Sequence, residues 1–150
     1  MTKVAIITGS SRGIGAACAF KFAALGYSIT IQGRNAEKLA EVEKKCTDLG
    51  GKVLALNYDL SKTDQLHEIV DKTIEKFGRL DILVNNAGQL QFKIRQNLRL
   101  NYIGTMRPGG LEVQTSEDFD FVMAVNCKAP VFLLKAALPH LKASKGLSYL

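Results

Sequence analysis

The stretch Thr8-Gly9-Ser10-Ser11-Arg12-Gly13-Ile14-Gly15 decides how this chain folds. It follows an apolar run at residues 4–8 and opens an amphipathic stretch that ends near Gly26. Between a strand and a helix, Gly9 allows a tight turn, Gly13 lets the backbone approach a bound group, and Gly15 lets the helix pack closely on the sheet. The first amides of the helix then face an anion. We therefore predict a strand, a phosphate-binding turn and a helix.

Apolar runs and amphipathic stretches alternate along the rest of the chain, which is typical of a parallel sheet with crossover helices. The predicted strands are residues 4–8, 28–32, 53–56, 80–84 and the start of a fifth at 147–150. The predicted helices are residues 13–26, 36–49, 63–77 and 116–138, the last with its cap at Ser116. Right-handed crossovers give the strand order 3-2-1-4, with the fifth beside the fourth. The fold class is α/β: an incomplete Rossmann-type doubly wound parallel sheet in one partial domain, residues 1–150.

Residues 89–110 interrupt this pattern. They carry four basic side chains and no acid, and so supply four of the six excess positive charges; these are Lys93, Arg95, Arg99 and Arg107. The gap before the next predicted helix is longer than most loops without structure of their own. We predict a basic, insertion-like loop within the domain.

Composition excludes several classes of protein. The chain is 47% hydrophobic and 23% charged with a net charge of +6, as expected of a globular domain. The basic surface lacks aromatic side chains interleaved for stacking on bases, so no nucleic-acid partner is expected. No uninterrupted apolar run reaches the ~18 residues of a membrane helix, so no membrane association is expected.

The three cysteines, Cys18, Cys46 and Cys127, have no metal-like spacing. We expect free thiols, no metal site and a reducing, cytoplasmic location. The N-terminus runs from Met1 into the first strand without the regions of a signal peptide, which agrees with that location.

The end of the second strand predicts which dinucleotide is bound. Folds that prefer NAD usually carry an acid there for the ribose hydroxyls, whereas this chain has Gln32, Gly33, Arg34 and Asn35. The Arg34 guanidinium can hold a 2′-phosphate through two parallel hydrogen bonds, with Arg12 as a second cation. The predicted cofactor is therefore NADP(H).

Four motifs in order make the chain resemble a short-chain dehydrogenase/reductase of the common single-domain type. They are T-G-x-x-x-G-x-G at residues 8–15, Asp59-Leu60 after the third strand, Asn85-Asn86-Ala87-Gly88 after the fourth, and Asn126 in the following helix. The resemblance implies hydride transfer between NADP(H) and a small carbonyl or secondary alcohol. It implies that Asp59 and Leu60 border the adenine and that Asn86, Ala87 and Gly88 line the cofactor. The predicted cofactor-binding residues are thus Gly9, Ser11, Arg12, Gly13, Ile14, Gly15, Arg34, Asn35, Asp59, Leu60, Asn86, Ala87 and Gly88.

Asn126 is the predicted active-site residue of this chain. Pro130 has no amide hydrogen, so the Asn126 carbonyl four residues earlier loses its usual helical donor and the helix should be distorted there. The resemblance implies that the backbone of this asparagine holds a water of a proton relay. A plain proline kink beside a surface asparagine is the alternative.

The resemblance also implies a catalytic serine and a Tyr-x-x-x-Lys pair, which these residues do not supply. Tyr58 and Lys62 have the right spacing, but four residues align two side chains only on a helix, and this pair spans the end of a strand. We therefore reject the pair, and Ser144 and Ser148 are poor substitutes for the serine.

Two alternatives to an oxidoreductase part remain open. The chain could be a noncatalytic nucleotide-binding module that pairs with itself or with related chains through the helix from Ser116 to Leu138. It could also be an incompletely folded product, because an open edge of a parallel sheet favours aggregation.

Overall fold

The computed structural model describes residues 2–88 and 115–149. Five strands form one parallel sheet in the order β3-β2-β1-β4-β5. Their bounds are β1 Val4–Ile7, β2 Ser28–Gly33, β3 Lys52–Asn57, β4 Ile82–Val84 and β5 Leu147–Tyr149. The predicted fold class and strand order are confirmed. The basic segment predicted at residues 89–110 lies outside the described residues.

Helices cover both faces of the sheet. Their bounds are α1 Gly13–Ala24, α2 Ala36–Asp48, α3 His67–Phe77, α4 Ser116–Met123 and α5 Ala129–Ser144. A short 3-10 helix, Thr63–Gln65, precedes α3, and a π-helical turn, Ala124–Lys128, joins α4 to α5. The helix predicted at residues 63–77 is therefore two pieces that meet at Leu66.

Alternation along β1 divides the core into two clusters. Successive side chains of a strand point to opposite faces, so Ala5 and Ile7 pack with α1 and α2, whereas Val4 and Ile6 pack with α3 and α5. All four side chains are buried, as expected where helices cover both faces of a parallel sheet. The helices leave the carboxyl ends of the strands open, and these ends together form the carboxyl edge of the sheet.

The predicted cap of α4 was wrong by one residue. Thr115, not Ser116, is the cap: its hydroxyl oxygen accepts from the Asp118 amide at 3.2 Å, and the Asp118 carboxylate accepts from the Thr115 amide at 3.4 Å. This reciprocal pair satisfies two amides that the helix itself cannot. Both residues can cap a helix, but only Thr115 has an acidic residue three positions later. This spacing was the sequence signal that favoured Thr115.

The predicted end of the last helix at Leu138 was also wrong. α5 continues through Pro139 to Ser144 and ends where Lys145 takes a left-handed conformation with φ 56°. The Gly146 amide then donates to the Leu141 carbonyl at 2.7 Å. Burial of Ala137 and Leu141 in the core holds the helix together across the proline.

Among the described residues, one helical stretch, Ser116–Ser144, is long and apolar enough to cross a membrane by length and composition alone. Core helices pass the same test, and four of its side chains lie in the core cluster of α3 and β1: Ala129, Leu133, Ala137 and Leu141. Only 22% of its most apolar window is buried, so packing within the domain accounts for part of its apolar character.

An ion pair between partly exposed Arg79 and buried Asp81 anchors the start of the sheet. Asp81 accepts from the Val4 amide at 2.8 Å and from two guanidinium nitrogens of Arg79, at 2.9 and 2.6 Å. Burial raises the pKa of Asp81, but the hydrogen bonds from Arg79 and Val4 outweigh burial, and the pKa lies below its usual value. The charged form of Asp81 thus joins the beginning of β1 to the chain that enters β4.

Candidate dinucleotide-binding site

The glycine turn joins β1 to α1 as predicted, and two of its glycines are required by close contacts. A Cβ added at Gly9, where φ is +64°, would lie 2.7 Å from the Ala87 Cα. A Cβ added at Gly15 would lie 2.4 Å from the Gly9 carbonyl oxygen. Neither contact tolerates a side chain, so the turn, the helix and the end of β4 are packed backbone against backbone.

The start of α1 faces open space. Gly13 has φ +59°, and a Cβ added there would meet nothing within 4 Å. Arg12 precedes the helix in an extended conformation, its side chain does not cap the helix, and the first turn has no acid. Ile14 is strongly exposed beside it, at 76%. The positive end of the helix dipole is therefore available to an anion at this edge.

Thr8 and Asn86 hold the turn from the side of β4. The Thr8 hydroxyl oxygen accepts from the amides of Asn86 and Ala87 at 3.1 and 3.0 Å. The Asn86 side-chain amide donates to the carbonyls of Thr8 and Gly9 at 3.0 and 3.2 Å. These bonds fix the Asn86 and Ala87 backbone against the turn, between β1 and β4, where the strand order reverses and ligands of open α/β sheets bind.

Asn85, just before this group, has buried side-chain amide atoms without a hydrogen-bond partner within residues 2–88 and 115–149. Buried amide groups rarely remain so. The edge between β1 and β4 therefore has hydrogen-bonding capacity that the described part of the fold does not use.

Ser10 and Gln32 hold the turn from the side of β2, and the sequence analysis missed both roles. The Ser10 amide donates to the Gln32 carbonyl at 2.9 Å, and the Gln32 amide donates to the Ser10 hydroxyl oxygen at 2.9 Å. The Gly9 amide donates to the Gln32 side-chain oxygen at 3.1 Å. The available sequence signal was the polar Gln32 near the end of a predicted strand, directly before the glycine and arginine that follow it.

The end of β2 brings the predicted phosphate-binding side chains near the turn. A Cβ added at Gly33 would lie 2.9 Å from the Ser11 Cβ, so the turn and the strand touch there. Arg34 follows and is exposed, as is Arg12, and the Asn57 side chain donates to the Arg34 carbonyl at 3.1 Å. The crowding at Gly33 leaves little room for an acidic side chain at that position.

Asn35, which is a predicted cofactor-binding residue, also has a structural role. Its side-chain oxygen accepts from the Lys38 amide at 2.8 Å and caps α2. The bond also fixes the direction in which the chain leaves Arg34.

Asp59 and Leu60 follow β3 at the same edge of the sheet. Asp59 accepts from the Ser61 amide and hydroxyl at 3.0 and 2.9 Å, and Leu60 is buried in the core. The bonds from Ser61 fix a tight local turn at Asp59. Binding of adenine by these residues stays a prediction.

Tyr58 belongs to a surface network and not to a pair with Lys62. Its hydroxyl donates to the Glu68 carboxylate and accepts from the Lys72 ammonium at 2.6 Å. The hydrogen bond from Tyr58 lowers the pKa of Glu68, and the bond to Tyr58 raises that of Lys72. These contacts agree with the prediction that Tyr58 and Lys62 do not form a catalytic pair.

The predicted distortion at Asn126 is present. The Ala129 amide donates to the Ala124 carbonyl, five residues earlier, which makes the segment between α4 and α5 π-helical. Pro130 follows as the second residue of α5 and cannot donate to Asn126. The Asn126 side-chain oxygen would lie 3.7 Å from a Cβ added at Gly88. The structure thus brings Asn126 beside the loop after β4, and its catalytic role stays a prediction.

Cys18, Cys46 and Cys127 are free thiols in the structure. Within residues 2–88 and 115–149, no group of three or more His, Cys, Asp or Glu side chains is placed to hold a metal ion.

The fold and this edge define a dinucleotide-binding domain of the Rossmann type. The family model of short chain dehydrogenases matches residues 3–147. The chain therefore belongs to the short-chain dehydrogenase family, as the four motifs indicated. The prediction of the family is confirmed.

Known proteins resemble the chain along almost its whole length. An uncharacterized oxidoreductase of Thermotoga maritima is 38% identical over 96% of the chain. A metagenomic short-chain oxidoreductase solved in complex with NADP is 36% identical over 96% of the chain, with a TM-score of 0.79. The alcohol dehydrogenase of the archaeon Thermococcus sibiricus, complexed with 5-hydroxy-NADP, is 33% identical over 99%, with a TM-score of 0.81. The chain covers 50%, 58% and 57% of these proteins, or about half the length of each.

Proposed function

We propose that this chain is the NADP(H)-binding part of a short-chain dehydrogenase/reductase, whose full-length form transfers hydride between NADP(H) and a small carbonyl compound or secondary alcohol. The observation that carries the proposal is the glycine turn, held on one side by Thr8 and Asn86 and on the other by Gln32. A turn fixed on both sides presents the first amides of α1 to a diphosphate without reorganisation on binding.

The residues of this edge fit the cofactor. NADP(H) supplies the hydride when bound, and the protein supplies binding, orientation and proton transfer. Gly13 leaves space beside the helix start for a diphosphate, and exposed Arg12 and Arg34 add positive charge where a 2′-phosphate would lie. Two structural neighbours are complexes with NADP or a derivative of it, which supports the choice of cofactor.

The role proposed for Asn126 is to hold a water of the proton relay through its backbone, beside Gly88. The serine and the Tyr-x-x-x-Lys pair that the family's chemistry needs are not supplied by these 150 residues. We therefore expect residues 1–150 to bind the cofactor without oxidising or reducing a substrate. We propose binding of the cofactor as the function of this chain and hydride transfer as the function of its full-length relatives.

Fluorescence titration tests the proposal directly. The 150-residue chain should melt cooperatively and should bind NADPH more tightly than NADH, because only NADPH carries the 2′-phosphate. Tighter binding of NADH would contradict the choice of cofactor, and turnover with a panel of carbonyl compounds would contradict the assignment of the missing groups. A noncooperative melt would favour the incompletely folded product.

We also propose a second copy of the chain as a partner, through the outer side of α4 and α5. Five large apolar side chains on these two helices are exposed to solvent and not packed in the core: Phe119, Met123, Val131, Phe132 and Leu138. Apolar side chains gathered on one pair of helices are typical of a protein interface. This surface also supports the alternative of a noncatalytic module. Cytoplasmic location, without nucleic acid or membrane as a partner, is part of the same proposal.

A further inference from the structure

The side chain of Gln32 contacts two separate loops of the candidate site. Gln32 lies near the end of β2 and is 2% exposed. Its side-chain oxygen accepts from the Gly9 amide at 3.1 Å, and its side-chain nitrogen donates to the Tyr58 carbonyl at 2.6 Å. One buried amide therefore joins the glycine turn after β1 to the chain that leaves β3.

Both partners of Gln32 fix the orientation of its amide. The Gly9 amide can only donate and the Tyr58 carbonyl can only accept, so the side chain needs one acceptor and one donor at the same time. Because the side chain is buried, water cannot take the place of a lost partner, and a group left without its hydrogen bond destabilises the fold. Among the side chains of similar size, glutamine meets this requirement without bringing a charge into the core.

The backbone of Gln32 is already held by Ser10, so the side chain adds something different. The bonds between Ser10 and the Gln32 backbone attach the glycine turn to β2 alone. The pairing of β2 with β3 ends at Gly33 and Asn57, and within the described residues the Gln32 side chain adds a direct bond from the glycine turn to Tyr58, which precedes Asp59. Asp59 is the residue that the family resemblance places at the adenine.

We propose that Gln32 is a positioning residue that sets the distance between the turn that holds the diphosphate and the loop that borders the adenine. The inference rests on the proposed function. When the cofactor binds, its adenosine half spans these two segments, and the Gln32 amide holds them at the required spacing. Without that amide the pairing of β2 with β3 remains, but the two loops lose their direct link, and binding of the adenosine half must restore their spacing.

The first test replaces Gln32 by methionine, which has a similar length but neither hydrogen bond. We expect Gln32→Met to weaken binding of NADP⁺ about tenfold, because binding must then restore the spacing of the two loops, an ordering cost that the unmodified chain does not have. Adenosine 2′,5′-bisphosphate, which carries only the adenosine half, should lose affinity by a similar factor. Titration calorimetry with both ligands measures the two losses.

The second test uses Gln32→Glu and pH. A neutral carboxylic acid has one acceptor and one O–H donor, like the amide, whereas a carboxylate has only acceptors and would face the Tyr58 carbonyl. The affinity of Gln32→Glu relative to the unmodified chain, measured at the same pH, should therefore rise as the pH falls. A residue that only fills volume would give no such rise.

The matched control is Thr73→Val. Thr73 is buried in α3 and shares a 2.8 Å hydrogen bond with Thr30, in the middle of β2 and away from the binding edge. Its loss should lower the melting temperature without changing the affinity for NADP⁺. Hydrogen exchange gives a readout without any cofactor: the Gly9 amide should exchange faster in Gln32→Met, while the amides of β1 stay protected.

The outcomes separate this inference from the proposed function. If the unmodified chain binds neither NADP⁺ nor the bisphosphate, the proposed function is wrong and the positioning role is wrong with it. If the unmodified chain binds and Gln32→Met binds equally well, the inference alone is overturned. If Gln32→Met fails to fold, the pH series of Gln32→Glu decides, and a constant relative affinity contradicts the role.

Discussion

Gly9 and Ala87 meet backbone to backbone across the ends of β1 and β4, with no space between them for a side chain. A Cβ on Gly9 would lie 2.7 Å from the Ala87 Cα and 3.2 Å from its Cβ. Because β4 lies beside β1, this contact fixes the loop after β4 directly against the glycine turn. The glycine turn and the loop after β4, which would enclose the cofactor, are therefore held in direct contact.

Gly9→Ala should lower the free energy of unfolding by roughly 2–5 kcal/mol, because it combines a left-handed backbone with an overpacked contact. Gly26→Ala is the matched control: Gly26 has φ +77°, but a Cβ there would meet nothing within 4 Å. The control should cost only about 1–2 kcal/mol. Urea denaturation measures both, and equal losses would show that the contact with Ala87 relaxes easily.

Thr8→Val should destabilise the chain and weaken cofactor binding together. The hydroxyl oxygen of Thr8 is the acceptor for the amides of Asn86 and Ala87, and valine of the same shape leaves both without it. Each unsatisfied buried group costs about 1–3 kcal/mol, and because these two amides are only partly buried, a total loss of about 2–4 kcal/mol, in the lower part of the summed range, is expected. Thr8→Ser keeps the acceptor and should retain most of the stability and affinity. Equal effects of the two variants, measured by urea denaturation and titration, would contradict the role of the hydroxyl.

Arg34→Ala should separate the two cofactors. Losing a charge-assisted hydrogen bond of about 1.5–3 kcal/mol should weaken NADPH binding by roughly 10- to 100-fold, and NADH binding should hardly change. Lys44→Ala removes one positive charge from an exposed position of α2 and controls for the general loss of charge. Fluorescence titration gives the affinities. A parallel loss for NADH would mean that Arg34 acts on something other than the 2′-phosphate.

Asp81→Asn should alter the dependence of stability on pH. The folded protein lowers the pKa of Asp81 below its ordinary value of 3.8, so its stabilisation is complete above that value. It is lost as the pH falls through the lower, folded-state pKa. At pH 7 the substitution should cost about 1.5–3 kcal/mol, the value of hydrogen bonds to a charged group.

The difference between Asp81→Asn and the unmodified chain should begin to shrink as the pH falls below 3.8 and should disappear below the folded-state pKa, where Asp81 also lacks the charge. Asp71→Asn, at an exposed position of α3, should leave the pH profile unchanged. Denaturation at a series of pH values measures these profiles. A difference that stays constant into strong acid would show that the ion pair with Arg79 contributes little.

The sequence predicts the glycine turn and the strand order because both depend on local pattern. Gly9, Gly13 and Gly15 follow an apolar run, and right-handed crossovers leave few arrangements of the strands that follow. The contacts of Gln32 could not be predicted in this way, since its partners are 23 and 26 residues away along the chain. Their identity depends on how three strand ends meet in space.

Some features of the helices also follow from local sequence, whereas others depend on tertiary packing. The proline rule predicts the distortion at Asn126 from one residue, Pro130, because the missing amide is a local property. The continuation of α5 past Pro139 depends instead on burial of Ala137 and Leu141 against the sheet, a tertiary effect that overrides the local preference. Local rules therefore predict the distortion at Asn126 but not the residue at which the following helix ends.

The outer side of α4 and α5 provides the last prediction. Phe119 is 64% exposed, and exposing an aromatic side chain forfeits the favourable burial of its surface unless a partner covers it. If a second copy provides that cover, the unmodified chain should sediment as a dimer or larger assembly, and Phe119→Glu should shift it to the monomer. Leu25→Glu is the control, because Leu25 is 60% exposed at the end of α1, outside this surface.

Analytical ultracentrifugation over a range of concentrations distinguishes these results. The Leu25→Glu variant should assemble like the unmodified chain, because a negative charge far from the interface brings no unpaired charge into it. A monomeric unmodified chain at every concentration would contradict the proposed partner. Equal dissociation by both variants would indicate nonspecific association through exposed apolar side chains, and not an interface of α4 and α5.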